Sequence, residues 1–274
     1  MESGLSTIML MEIRSVITII VLLPALLLFG RKHLFVHRKD WVLFLLLGIP
    51  GIALVNASYY FAVKTLTVAL AVFLQFTSPV LVFLYSWATR KEKATQSKLL
   101  ALLFCLLGTF FMVRLHNSDS ASISWIGVAS AFVSTLSFSF YVILSHGLGK
   151  KYSPWTITFC GYLVACLFWF VIQNPAETLA TLSRNHLWKG AILFSFFSTL
   201  IPFTLFLSGL RRVTPTGGTI ASTSETITAS VFAYLFLGES LTAGQLCGGL
   251  LIVSAILILA IKKSEPSPEL SLTT

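Results

Sequence analysis

Glu225 is the one acid well inside an apolar stretch, 216 to 237, where packing alone explains an acid poorly. A charged carboxylate at the centre of a bilayer costs about 2.5 to 3.5 kcal/mol on insertion scales, so such a group belongs in a wet cavity or beside a partner. The surrounding segment, TPTGGTIASTSETITAS from 214 to 230, is rich in hydroxyls and small residues, and Gly218, Ser222, Glu225 and Ala229 share one helical face. Two roles suit that pattern. Glu225 could meet a substrate ammonium group or carry a proton, or it could hold two helices together through a hydrogen bond. The sequence leaves both open.

Ser130, Ser134, Ser137, Tyr141 and Ser145 form a second stripe at helical spacing. Hydroxyls and small residues let membrane helices approach closely, so packing accounts for most of these serines. Tyr141 is the better cavity candidate, because its ring can stack on a ligand and its hydroxyl needs a partner. Earlier in the chain, Asn56, Tyr59 and Tyr60 share one apolar stretch, and Gln75, Thr77 and Ser78 share the next. The amides of Asn56 and Gln75 are costly if unpaired in an apolar medium, so they should face water or bond each other. The candidate substrate contacts are therefore Asn56, Tyr60, Gln75, Ser78, Tyr141, Ser222 and Glu225. For Arg14, snorkelling or an ion pair with Glu12 is the simpler reading, and a gate contact the other.

Enzyme chemistry finds little support. All five histidines, His33, His37, His116, His146 and His186, read as loop residues, and there is no HExxH motif, catalytic aspartate pair, nucleophile elbow or P-loop. Cys105, Cys160, Cys166 and Cys247 fall in apolar stretches without the close pairing of a zinc site and read as packing residues. Neither a metal nor a cofactor is expected. A channel or a structural membrane subunit remains a rival to transport.

The elements that must position these residues are membrane helices. A helix rises about 1.5 Å per residue and the hydrocarbon layer is about 30 Å thick, so about 20 residues span it. Nine stretches qualify: 8 to 29, 41 to 63, 68 to 88, 97 to 114, 123 to 145, 155 to 173, 188 to 210, 216 to 237 and 241 to 261. With 56% apolar and 11% charged residues the 274-residue chain leaves no room for a soluble domain. The fold class is an all-α polytopic membrane protein. Trp41, Trp87, Trp125, Trp155, Trp169 and Trp188 lie near span ends and read as interfacial belt residues. The opening MESGLSTIML has no basic n-region, so a cleaved signal peptide is not expected.

A net charge of +9 would suggest nucleic acid in a soluble chain, but here the basic residues are sorted by compartment. Alternating the spans puts fourteen of the nineteen Lys and Arg on one side: Arg31, Lys32, Arg38, Lys39, Arg90, Lys91, Lys93, Lys98, Lys150, Lys151, Arg211, Arg212, Lys262 and Lys263. Arg14, Lys64, Arg114, Arg184 and Lys189 lie across the membrane. The positive-inside rule makes the first set cytoplasmic, with the C-terminus inside and the N-terminus outside. No nucleic-acid partner is implied. The expected partners are the lipid bilayer and a small-molecule substrate, and a homodimer is an open option.

Sliding the chain against itself by 147 residues superposes the first four spans on the last four without a gap. Trp41 meets Trp188, Lys64 meets Arg211, Thr67 meets Thr214, Glu92 meets Glu239, Thr95 meets Thr242 and Leu99 meets Leu246. The fifth span, 123 to 145, has no counterpart after residue 1. The organisation is thus a first repeat over 1 to 114 with four spans, a second over 123 to 262 with five, and a disordered cytoplasmic tail over 263 to 274. An odd number of spans per repeat makes the copies cross the membrane in opposite senses, the inverted-repeat plan of many secondary transporters.

The segments FAVKTLTVALAVFLQFTSPVLVFL (61 to 84), RKEKAT (90 to 95), WIGVASAFVSTLSFSFYVILSHGLGKKYSP (125 to 154) and FLGESLTAGQLCGGLLIVSAILIL (236 to 259) resemble the EamA-type drug/metabolite transporters. The resemblance covers essentially the whole chain. It implies two five-helix repeats, both termini cytoplasmic, and transport of amino acids, related metabolites or, in distant branches, nucleotide sugars. Two departures stand out: nine spans replace ten, as if the first helix were missing, and the family's Glu followed by Pro reads here as Glu225 then Thr226, while the first copy keeps Pro79. Together these imply a secondary transporter in the inner membrane that moves a small organic solute by alternating access, by export of an amino acid or related metabolite. The alternatives are a nucleotide-like substrate such as S-adenosylmethionine or a nucleotide sugar, or an inactive truncated fragment.

Overall fold

The computed structural model describes residues 6–29, 35–113, 124–184, 187–238 and 240–261. Arg31, Lys32, Arg114, Lys262 and Lys263 of the charge ledger, Glu239 of the repeat, His33, His116, His186 and the tail from 263 lie outside the described residues. Everything described is helix or connector. The helices are α1 (Thr7–Phe29), α2 (Trp41–Gly48), α3 (Leu54–Thr65), α4 (Val68–Gln75), α5 (Ser78–Ala88), α6 (Gln96–Met112), α7 (Trp125–Gly149), α8 (Pro154–Ile172), α9 (Pro175–Arg184), α10 (Trp188–Ser195), α11 (Ile201–Leu210), α12 (Pro215–Ser222), α13 (Ser224–Leu237) and α14 (Ala243–Ile261). Among the described residues, seven segments are long and apolar enough to cross a membrane: Thr7–Leu28, Arg38–Thr65, Val68–Ala88, Trp125–Gly149, Pro154–Ile172, Trp188–Leu210 and Ala243–Ile261. Of the other two expected spans, α6 is a shorter apolar helix and 216 to 237 is divided between α12 and α13.

Several helices are interrupted, and the interruptions recur. A π-turn, Ile49–Ala53, joins α2 to α3, and another, Phe196–Leu200, joins α10 to α11. The helical ladder breaks again at Phe76–Thr77 between α4 and α5, and at Thr223 between α12 and α13. Both kinds of interruption are 147 residues apart, the same offset that aligns Thr67 and Thr214 as N-caps of α4 and α12. Proline supplies part of the cause, since it lacks a donor and crowds the carbonyl four residues back. Pro50 sits in the first π-turn, Pro202 just past the second, and Pro79 just past the first break. No proline stands at the fourth interruption. There hydroxyls fold back on their own helix, Ser222 to Thr219 O, Thr223 to Ile220 O, Ser224 to Ala221 O and Thr226 to Thr223 O, all at 2.7–2.8 Å. Such back-bonding competes with the ladder and bends helices.

The chain forms two compact units, Met1–Tyr60 with Ile143–Arg211 and Phe61–Val142 with Arg212–Thr274. In unit 1, α1 and α2 both pack along α8. Gly48 lets α2 lie close, because a β-carbon there would stand 2.5 Å from Val164 and 2.8 Å from the Gly161 carbonyl oxygen. The connector ahead of α2 is tied to the one ahead of α8. Tyr152 donates to Asp40 Oδ2 at 2.7 Å, Lys151 lies 3.4 Å from Asp40 Oδ1, and the His37 N–H donates to the Tyr152 hydroxyl. Burial and the adjacent Asp40 carboxylate raise the Tyr152 phenol above its ordinary pKa.

In unit 2, α6 and α14 meet backbone to backbone. A β-carbon on Gly108 would stand 2.7 Å from the Gly248 carbonyl oxygen, and one on Gly248 2.6 Å from the Gly108 carbonyl oxygen. The Gln245 amide at the start of α14 reaches Met112 O at the end of α6, while Ala101 and Cys105 share a core cluster with Ala255. The two helices therefore run antiparallel along a seam of small residues, the packing that suits apolar surroundings.

Three expectations need correction. Trp169 is 3% exposed inside unit 1 against Phe168, so it is a core residue and not an interfacial one. α7 runs on to Gly149, which makes His146 helical. Glu225 is not the one acid inside a span, because Glu12 in α1 is only 2% exposed.

Candidate functional site

The densest polar chemistry of unit 1 gathers around α1. Glu12 accepts a hydrogen bond from Thr178 Oγ1 of α9 at 2.6 Å. Two residues on, and roughly 200° around the helix, Arg14 points elsewhere: its Nε donates to Thr199 Oγ1 at 2.6 Å and its Nη1 to the Tyr60 hydroxyl at 3.3 Å. The guanidinium also lies 5.8 Å from the centre of the Phe194 ring. Arg14 is 8% exposed, and no carboxylate among the described residues pairs with it. The anticipated Glu12–Arg14 pair is absent, because residues two apart on a helix face different ways. Snorkelling fails too, since a buried head group is not in water.

The π-turns position this group. Thr199 belongs to the second, Phe196–Leu200, and Tyr60 follows the first by two helical turns. Asn56 donates to the Ile52 carbonyl of the first π-turn at 2.7 Å. Its amide donor is thus occupied within its own helix. The Tyr162 hydroxyl of α8 is enclosed and has no hydrogen-bond partner among the described residues, with Arg14 and Tyr60 within electrostatic range.

In unit 2 the polar groups cluster where helices break. α7 hydroxyls serve the first break: Thr135 donates to Leu74 O at 2.9 Å, Ser134 to Gln75 Oε1 at 2.7 Å, and Ser139 approaches Ser78 O at 3.5 Å. Carbonyls freed from a membrane helix must be satisfied by neighbours, and short hydroxyls on an adjacent helix do this. Of the α7 stripe, Ser134 serves the packing of this break, together with Thr135 and Ser139, which the periodic pattern did not single out. Tyr141 is buried and stacks on Phe138, and Ser78 is fully buried with its hydroxyl unpartnered among the described residues. At the second break the Cys105 thiol donates to Thr223 Oγ1 at 3.6 Å.

Glu225 follows that break in the first turn of α13. It is exposed on unit 2, and among the described residues its carboxylate has no hydrogen-bond partner. Ser222 beside it donates to Thr219 O of its own helix. Glu92, in the connector between α5 and α6, is the better-held acid. Its Oε1 accepts from the Thr216 backbone N–H at 3.2 Å and from Thr216 Oγ1 at 3.0 Å, and its Oε2 lies 3.0 Å from Lys98 Nζ. A carboxylate on unpaired helix N–H groups stabilises the helix start, here that of α12. Sequence reading had Glu92 only as a repeat match, since its partner lies 124 residues away.

A sequence model of the EamA-like transporter family matches residues 1–114 and 125–261. An uncharacterized transporter of Archaeoglobus fulgidus is 32% identical over 214 residues, 76% of this chain and 74% of its own length. The uncharacterized inner membrane transporter YicL of Salmonella typhimurium is 25% identical over 277 residues, 95% and 87% of the two chains. The threonine/homoserine exporter RhtA of Escherichia coli is 28% identical over 225 residues, 79% of this chain and 71% of its own. One solved crystal structure shares the fold, with a TM-score of 0.74 over 94% of this chain and 88% of its own at 17% identity.

Proposed function

The chain belongs to the EamA-like transporter family and is a multi-pass membrane transporter of small solutes; from that premise we propose that it is a secondary transporter that exports an amino acid or a related metabolite by alternating access. The observation that carries this reading is the doubled set of interruptions. π-turns and helix breaks recur at an offset of 147 residues, and the corresponding helices α6 and α14 pack antiparallel. Copies of one plan running in opposite senses support an inverted repeat of five-helix units. Such a protein changes access by exchanging the conformations of its two copies. The substrate class follows RhtA, whose name gives threonine and homoserine. Within unit 2, Gln75, Ser222 and Glu225 are the side chains proposed to meet the solute, with Glu225, exposed on that unit and without a hydrogen-bond partner among the described residues, as a charge or proton carrier.

The test is counterflow of radiolabelled L-threonine into proteoliposomes holding the full chain, across a pH series, for the wild type and Glu225→Gln. Wild-type flux above that of protein-free vesicles is expected. The variant should insert and melt as the wild type does yet lose transport or its pH dependence. Flux of a nucleotide sugar or S-adenosylmethionine in place of every amino acid would replace the substrate class, and normal transport by Glu225→Gln at every pH would remove its assigned role. The proposed orientation, with the C-terminus in the cytoplasm of an inner membrane, is checked separately. A reporter after Lys263 should be active only inside and a cysteine at Asn117 labelled only from outside; the reverse pattern overturns it.

A further inference from the structure

We propose that Arg14, with Tyr60 and Tyr162, forms a carboxylate-recognition subsite within unit 1. A guanidinium has five N–H donors in a planar fork, and Arg14 uses one on Thr199 and one on Tyr60. The rest have no partner among the described residues. A buried cation without a counter-charge is strongly unfavourable, which makes the position one that an anion completes. The chain's own acid does not serve, because Glu12 is turned away onto Thr178. Arg14 keeps 8% of its surface accessible.

Tyr162 supplies the second observation. It is 3% exposed, its ring packs edge-on to Phe203, and its enclosed hydroxyl has no partner among the described residues although Arg14 and Tyr60 are in electrostatic range. A buried hydroxyl normally finds a hydrogen bond. A carboxylate oxygen docked on the Arg14 fork offers the acceptor that the protein withholds. One unpaired positive charge matches a monoanion, and the planar fork matches the two oxygens of a carboxylate in bidentate geometry. The corresponding positions of the second copy carry neither charge: 147 residues on, Glu12 becomes Phe159 and Arg14 becomes Gly161. The subsite belongs to one copy alone.

The inference rests on reading the chain as a transporter of amino-acid-like solutes, and its test separates the two. Melting temperatures of the full chain in detergent are measured with sodium L-lactate and with L-lactamide, which differ in the carboxylate, for the wild type, Arg14→Gln, Arg14→Lys and Tyr162→Phe. The wild type should be stabilised by lactate well above lactamide. Arg14→Gln should abolish that difference, Arg14→Lys should keep a reduced one, and Tyr162→Phe should raise the half-saturating lactate concentration by about fivefold, the effect of one hydrogen bond. A purely structural arginine would change melting without changing the preference of lactate over lactamide. No preference in the wild type, or an undiminished one in Arg14→Gln, overturns the subsite; if Arg14→Gln does not fold, an undiminished preference in both other variants does the same. L-Threonine counterflow without any carboxylate preference would sink the subsite and leave the transport reading. Carboxylate preference without amino-acid flux would keep the subsite and sink the substrate class.

Discussion

The α6–α14 pair of unit 2 and the α1–α8 pair of unit 1 each bring together helices that correspond at an offset of 147 residues, yet the contacts are unlike. In unit 2, Gly108 and Gly248 bring backbone against backbone, and Ala101, Cys105 and Ala255 continue an apolar core. In unit 1, α1 carries a buried acid and a buried base where α8 carries Phe159 and Gly161. One pair is specified by the absence of side chains, the other by side chains that need partners. The first is a fastening that any polar group would spoil, and the second is a place where chemistry can differ between copies sharing one backbone plan.

The largest effect should come from Gly248→Ala. Its new β-carbon meets the Gly108 carbonyl oxygen at 2.6 Å and the Met112 nitrogen at 2.9 Å, neither of which can rotate away. The helices must separate, and a loss of about 3 kcal/mol, the upper part of the overpacking range, is expected in denaturant titrations that follow helicity. Wild-type stability in this variant would show that the seam is looser than drawn. Gly161→Ala in unit 1 should be milder, about 1 kcal/mol. There the added carbon meets Ile52 Cδ1 at 2.9 Å and Leu47 Cδ2 at 3.2 Å, the far ends of side chains that can turn. Equal losses at the two glycines would erase the contrast between the units.

Thr226→Pro is the smallest change predicted. It restores in the second copy the residue that the first has at Pro79, in the first turn of α13 where the ladder is already broken. The backbone bond from Thr226 N–H to Thr223 O is lost, so a shift under about 1 kcal/mol is expected, against about 3 kcal/mol for proline in a helix interior. A drop of helix-interior size in a thermal melt would show that the hydroxyl-bent segment is more continuous than its hydrogen bonds indicate.

Hydropathy placed the helices well because each one must satisfy its own backbone in lipid, which leaves composition as an almost complete guide. Pro79 and Pro202 stand at two interruptions for an equally local reason, the missing backbone donor of proline. The π-turn holding Pro50 was passed over, since an isolated proline does not reveal how many residues the widened turn will take. The break at Thr223 was hidden because hydroxyls stand in for proline there. The candidate contacts divided similarly. Glu225 stood out by charge, but the environment of Arg14 depends on Thr199, 185 residues away, and on which face of α1 each charge occupies. Nearness in sequence suggested Glu12 as its partner, and helix geometry turned Glu12 toward Thr178 instead.

The π-turns have a mechanical consequence. In an uninterrupted α-helix each added residue rotates everything after it by about 100°. A wide turn absorbs that rotation locally, so the segments on either side keep the directions that their neighbours require. Phe44 can stay packed against Tyr152 before the first turn while Tyr60 still reaches Arg14 after it. Deleting one residue within Ile49–Ala53 therefore has somewhere to go, because the turn can tighten to ordinary α geometry. The same deletion within α8, which has no such slack, would swing Tyr162 and Trp169 off the core. Each π-turn is a splice in its helix, a point where chain length can change without re-aiming the residues beyond it.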